Sequence, residues 1–196
     1  MAKWILIAVV AVAAIFVMWG VSAYNGLVAS NQEVQAAWSQ VENVYQRRAD
    51  LVPNLVETVK GAANFEKETL QQVIEARAKA TQSTTHVTID NPEAFQQFQN
   101  AQAQLSSSLA RLMAVAESYP QLTATQNFRD LQAQLEGTEN RIAVERMRFN
   151  EAAQRYNTKK NTFPTAIVAG FFGSKFPDRP YFKAQEGAEK PPAVKF

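Results

Sequence analysis

The sequence predicts an all-α protein: an N-terminal transmembrane helix followed by an antiparallel four-helix bundle and an irregular, aromatic C-terminal tail. Three observations carry this prediction. The run Trp4–Val21, "WILIAVVAVAAIFVMWGV", holds no charge and no strongly polar group. Beyond Gly26, apolar residues recur at alternating spacings of three and four, the seam of helices packed nearly parallel or antiparallel. No strand-like alternation of apolar and polar residues competes with that period.

At roughly 1.5 Å per residue the N-terminal run makes about 27 Å of helix, close to the thickness of a bilayer core. A cleaved signal peptide is the competing reading, and "VSA" at 21–23 offers small residues at suitable offsets. The run is longer than a signal-peptide core, however, and Trp19 and Tyr24 stand where an aromatic belt would anchor a retained helix. The expected partner of this segment, residues 1–24, is therefore the lipid bilayer. The amino terminus and Lys3 flank one side, whereas Glu33 and Glu42 follow Tyr24 with no Lys or Arg nearby. The positive-inside rule then expects a single pass through the bacterial inner membrane, with the N-terminus cytoplasmic and the body outside.

The body, residues 25–162, reads as four rods. Val34, Trp38, Val41, Tyr45, Arg48 and Val52 form the first seam; Leu55, Val59, Ala63, Leu70 and Val73 the second. Phe95, Phe98, Leu105, Leu109, Leu112, Ala116 and Tyr119 form the third, and Phe128, Leu131, Leu135, Ile142, Phe149 and Tyr156 the fourth. Asn91 with Pro92 signals one helix start, Pro120 a helix end, and Thr123 with Gln126 a capping box. Pro53 should cost a continuous helix about 3 kcal/mol, and it disfavours helical geometry at Val52. A turn at Asp50–Pro53 gives matched helices over about 25–50, 53–82, 92–118 and 126–162. The rival turn lies in "KGAANFEKE", where Gly61 could end a helix and leave Pro53 as a kink.

The tail, residues 163–196, holds aromatics among prolines and glycines and is expected not to be helical. Phe171, Phe172 and Phe176 are expected to fold back over the open end of the bundle. Alternatively they bind a partner or, with Lys175, Arg179 and Lys183, touch lipid headgroups.

Twenty basic residues against eighteen acidic ones, with signs interleaved, leave no basic stripe, so nucleic acid is not an expected partner. There is no cysteine, and the one histidine, His86, lies in the polar stretch "TQSTTHVTIDN". A ferritin-like metal bundle needs several inward Glu-x-x-His pairs, which this chain lacks. No phosphate loop, GxSxG elbow or HExxH occurs, and the serines at 106–108 have no histidine partner in sight. The expectation is therefore a non-enzymatic protein with no catalytic, cofactor-binding or metal residues and no cofactor. Polar residues do interrupt the seams: Arg48, Glu66, Arg77, Gln102, Thr138 and Glu145. With the turn at Pro53, Arg77 and Glu145 fall at one level and could form an internal ion pair; a register-fixing polar layer is the simpler expectation.

The blocks "AWSQVENVYQRRADLVPNLVETVKG" at 37–61, "YPQLTATQNFRDLQAQLEGTENRIAVERMRFNEAAQRYN" at 119–157, "FFGSKF" and the closing "PPAVKF" make the chain resemble the LemA family of bacterial membrane proteins. The resemblance implies one membrane-spanning helix carrying a helical bundle, and it supplies no catalytic residues. It hints at envelope maintenance, including regulation of an envelope protease. Together with the uncharged helix face "QQFQNAQAQLSSSLA", it leads to the expectation of a membrane-anchored scaffold or adaptor that self-associates as a homo-oligomer or holds an envelope protein partner.

Overall fold

The computed structural model describes residues 1–61 and 66–183, and among them there is no strand. Its first element, α1, runs unbroken from Ala2 to Lys60, 59 residues or about 88 Å. It continues through Pro53, so the turn expected at Asp50–Pro53 does not occur and the rival reading, a helix that ends at Gly61, holds. Proline has no N–H to offer the carbonyl four residues back, which here belongs to Ala49. Arg77 supplies the missing donor from the next helix, with Nε 2.8 Å from the Ala49 oxygen. Val52, Leu55 and Val56 around the proline are all buried, so packing on both sides also holds the helix in line. The chain leaves α1 at Gly61; Ala63 of the expected second seam lies outside the described residues.

The remaining helices are α2 (Lys67–His86), α3 (Pro92–Ala116), the single turn α4 (Pro120–Thr123), α5 (Gln126–Asn161) and α6 (Thr165–Phe171), followed by a 3-10 turn at Gly173–Lys175. The Asn91 cap with Pro92 in the first turn forms as expected, the Asn91 Oδ1 accepting from the Glu93 and Ala94 amides at 2.9 and 3.2 Å. For α5 the cap is Thr125, not Thr123, which instead closes α4. His86 ends α2 instead of lying in the loop. Nor is the tail without helix, since α6 and the 3-10 turn occupy its start.

Beyond its first two dozen residues α1 packs along α5, α2 packs on α3, and α2 also covers the far end of α1. Residues 2–18 are exposed throughout, as an anchor surrounded by lipid requires. We call the end of the body next to this segment membrane-proximal and the Gly61 end distal. The expected seams are the buried faces: Val34, Trp38, Val41, Tyr45, Arg48 and Val52 all lie inside, as do Phe95, Phe98, Leu105, Leu112, Phe128, Leu135, Ile142, Phe149 and Tyr156. Burial of each such side chain contributes about 1.5–3 kcal/mol, which is why the seam and not helix propensity organises the body.

The core falls into two clusters. The distal one is almost wholly aliphatic and is built from Leu51, Leu55, Val59, Val73, Leu105, Leu112 and Leu135 with their neighbours. The proximal one is aromatic, built around Trp38, Phe95, Phe98, Phe149 and Phe182.

Candidate functional site

Between the two clusters sits Arg48, 1% exposed and the bulkiest of the fully buried side chains. Its Nη1 donates to Ser106 Oγ at 2.6 Å and to Glu139 Oε1 at 2.7 Å; its Nη2 donates to Gln102 Oε1 at 2.5 Å and to the Gln102 carbonyl at 3.3 Å. Gln102, itself buried, passes the network on through Nε2 to Thr84 Oγ1 and the Ala80 carbonyl. The guanidinium also stands 5.0 Å from the Tyr45 ring centre. A buried cation is costly unless its donors are paired; the two terminal nitrogens of this one are served from α3 and α5, while its Nε is buried without a hydrogen-bond partner among the described residues. Glu139 is 44% exposed, so the layer reaches water at one edge.

That edge is the floor of a cleft of about 750 Å³ between α3 and α5. Gln96, Gln99, Asn100, Ser106 and Ser107 line its α3 side, and Glu139, Ile142 and Arg146 its α5 side.

The tail runs into this cleft from the proximal end as an extended segment clamped to α5. Asn157 makes a two-way bond with the backbone of Arg179, accepting from its N–H and donating to its carbonyl, both at 2.9 Å. Asn150, seven residues earlier and so on the same face of α5, does the same to Phe182 at 2.8 and 2.9 Å. Arg146 donates to the Lys183 carbonyl at 2.8 Å, and its guanidinium lies over the Phe182 ring. Tyr156 closes the series by donating to the Pro177 carbonyl at 3.1 Å. The side-chain amides thus satisfy extended backbone that no neighbouring strand pairs with.

The electrostatics follow from this packing. Burial pushes the Tyr156 hydroxyl up to about 12, with the nearby Asp178 carboxylate adding to the effect. Asp178 is itself held below the ordinary carboxylate value, chiefly by the hydrogen bond from Lys160, with a second from Asn161. Burial raises Tyr45, with Arg146 and Arg48 opposing, and raises Glu42 against the hydrogen bond from Trp38. Desolvation lowers Arg179, which donates to Asn31 and Asp90.

The polar residues singled out in the sequence are therefore only partly brought together. Arg48, Gln102 and Thr138 are buried; Arg48 and Gln102 share the network, while Thr138 bonds its own helix at the Gln134 carbonyl. Arg77 and Glu145 do not pair: Arg77 serves Ala49, and Glu145 accepts from Arg148 at 2.8 Å. Their shared level followed from a turn at Pro53, and moving the turn beyond Gly61 shifts the register between α1 and everything after it. Glu66 is exposed and accepts from Thr69 at 2.8 Å. The partner that sequence reasoning missed is Glu139. The turn expected at Pro53 hid it: only with α1 ending at Lys60 does Arg48 stand twelve residues before that end and Glu139 thirteen after the start of α5, one level in an antiparallel pair.

In the tail, Phe176 is buried and Phe172 leans on Tyr24 with ring centres 5.0 Å apart, but Phe171 is 85% exposed and meets only the edge of the Phe172 ring at 5.2 Å among the aromatic contacts. Arg179 is buried, and Lys183 stands at mid-height beside Gln99, so neither faces the membrane-proximal end. Among the described residues no group of three or more His, Asp or Glu side chains could hold a metal ion.

The sequence pattern of the LemA family matches residues 37–196, which takes in the Arg48 layer and the clamped tail alike. The chain belongs to the LemA family. Its similarity extends to Magnetosome protein MamQ 2 of Paramagnetospirillum magneticum, 26% identical over 187 residues, covering 86% of this chain and 67% of that protein. Magnetosome protein MamQ of Magnetospirillum gryphiswaldense is 26% identical over 170 residues, covering 76% and 62%. Protein LemA of Metamycoplasma hominis is 26% identical over 145 residues, covering 74% and 63%. The chain thus spans about two thirds of the length of the curated relatives it matches. None of these names is that of an enzyme, and together with the uncovered apolar segment of α1 they describe a membrane-associated LemA-family protein.

Proposed function

We propose that this LemA-family protein is a non-enzymatic scaffold or adaptor of the bacterial cell envelope. It hangs from the inner membrane by the first turns of α1, with its four long rods outside the cytoplasm, and works by self-association or by holding a protein partner. The observation that carries this reading is the α3 wall of the cleft. From Ala94 to Ala110 the helix bears no charge, and Gln96, Gln97, Asn100, Gln104 and Ser107 are exposed along it. Amide and hydroxyl groups without full charges are cheap to desolvate and can be re-paired by another polypeptide, as an interface demands. The clamped tail supports the same reading, because it is an instance of extended chain held on this side of the body by side-chain amides.

The test uses the full-length chain in its native membrane. Because the sequence has no cysteine, single cysteines at Gln96 and Ser107, both exposed on the cleft wall, report contacts cleanly. Crosslinking in cells should capture a second copy or one discrete partner from α3 positions and not from Arg129, an exposed residue at the distal start of α5. A chain that stays monomeric by mass at micromolar concentration in detergent, and that crosslinks to nothing from α3, sinks the proposal.

A further inference from the structure

The geometry points to a second, shallow membrane contact made by α6, which lies in the headgroup boundary beside the point where α1 enters the bilayer. This rests on the anchor reading of α1 but goes beyond it. Phe163, Ile167 and Phe171 are 78, 62 and 85% exposed. Ile167 and Phe171 are four apart and share one face of α6, Phe163 stands just before the helix, and Ala169 on the opposite face is buried against the body. Single exposed apolar residues are ordinary; two large ones on one face of a seven-residue helix, with a third just before it, need a cover.

The position of α6 says what covers it. Near the end of α5, Lys159 donates to the Gly26 carbonyl at 2.8 Å and to Ser30 at 3.3 Å, so α5 finishes at the foot of the body. The tail is back beside Asn157 and Asn31 by Arg179. The reversal between them, which contains α6, is therefore the part of the body nearest the apolar segment. α6 packs on α1, and the rings of Phe172 and Phe176 lie 5.0 and 5.6 Å from that of Tyr24, three residues beyond the last apolar residue, Val21. The exposed face is thus continuous with the surface α1 already gives to lipid. Lys175, over the Tyr24 ring, adds a cation at headgroup level. An interfacial helix of this kind buries its apolar face about 5–10 Å into the boundary.

The whole chain, reconstituted in vesicles of phosphatidylcholine and phosphatidylglycerol, tests this with nitroxide labels on single cysteines at Val12→Cys, Ile167→Cys, Phe171→Cys and Val144→Cys. Val144 is an exposed control on α5. Labels at 12, 167 and 171 should collide several-fold more with oxygen than with a water-soluble nickel complex, relative to 144. If 12 is lipid-exposed while 167 and 171 behave like 144, the α6 contact is overturned and the anchor stands. Labels at 167 and 171 shielded from both reagents would assign the face to protein and overturn it equally. Water access at 12 would remove the anchor and this inference with it.

Discussion

Distal to Arg48 the core is aliphatic and is made by helices that follow one another in the chain; on the membrane side it is aromatic and needs Phe182, delivered by the tail, to close it. The distal half draws on α1, α2, α3, α5 and Leu122 of the α4 turn, with no residue of the tail. The proximal half keeps Trp38, Phe95, Phe98 and Phe149 in contact with one another, yet stacks them on a ring held mainly by backbone bonds to Asn150 and Asn157. Stability is therefore unevenly spread, and the half nearer the bilayer has the removable lid.

The largest effect that can break this contrast is loss of a central ring. Phe149→Ala should cost about 3–5 kcal/mol in denaturant unfolding, against about 2–5 for Leu105→Ala in the distal half. Equal costs with identical loss of amide protection in both halves would show one cooperative core instead of two.

Next comes the layer between them. Arg48→Ala strands Gln102 but leaves Glu139 with water, so the expected cost is about 1–3 kcal/mol, below that of breaking a fully buried pair. An Arg48→Met, Gln102→Leu double variant should recover most of it, since apolar replacement of a buried polar layer is often near neutral. A double variant as unstable as the single would mean that the layer sets register and does not merely tolerate burial.

Alkaline titration sharpens the comparison further, because Tyr156 belongs to the proximal half. Its folded-state value is raised from 10.0 to about 12, so the unfolded chain loses that proton first. The contribution is whole below pH 10 and is lost as pH rises toward 12, up to about 2 kcal/mol. Tyr156→Phe should lose less stability across that window than the parent chain; parallel curves would refute the assignment.

Smaller still, Asn150→Ala should cost about 1 kcal/mol and raise hydrogen exchange along residues 177–183 while leaving the distal half protected. The smallest effect expected is a coupling: Arg77→Ala should destabilise by about 1 kcal/mol, and by much less in a Pro53→Ala chain, where the regained N–H satisfies Ala49. Additive variants would leave the unbroken passage through Pro53 without its explanation.

Residue spacing alone identified the helical class, the uncharged segment, the buried faces of α1, α3 and α5 and the cap at Asn91, because each depends on neighbours within a turn or two; the second seam mixed residues of α1 and α2. Arg48 and Gln102 were legible as polar interruptions of those faces. Only tertiary structure decided that Pro53 stays inside a helix, since that turns on an arginine 24 residues later meeting one orphan carbonyl. The pairing of Arg48 with Glu139 and the clamping of the tail by Asn150 and Asn157 were settled in the same way. A period reports which side of a helix avoids water, but which groups meet across the interior depends on where the chain reverses, and that is a free-energy balance struck between distant segments.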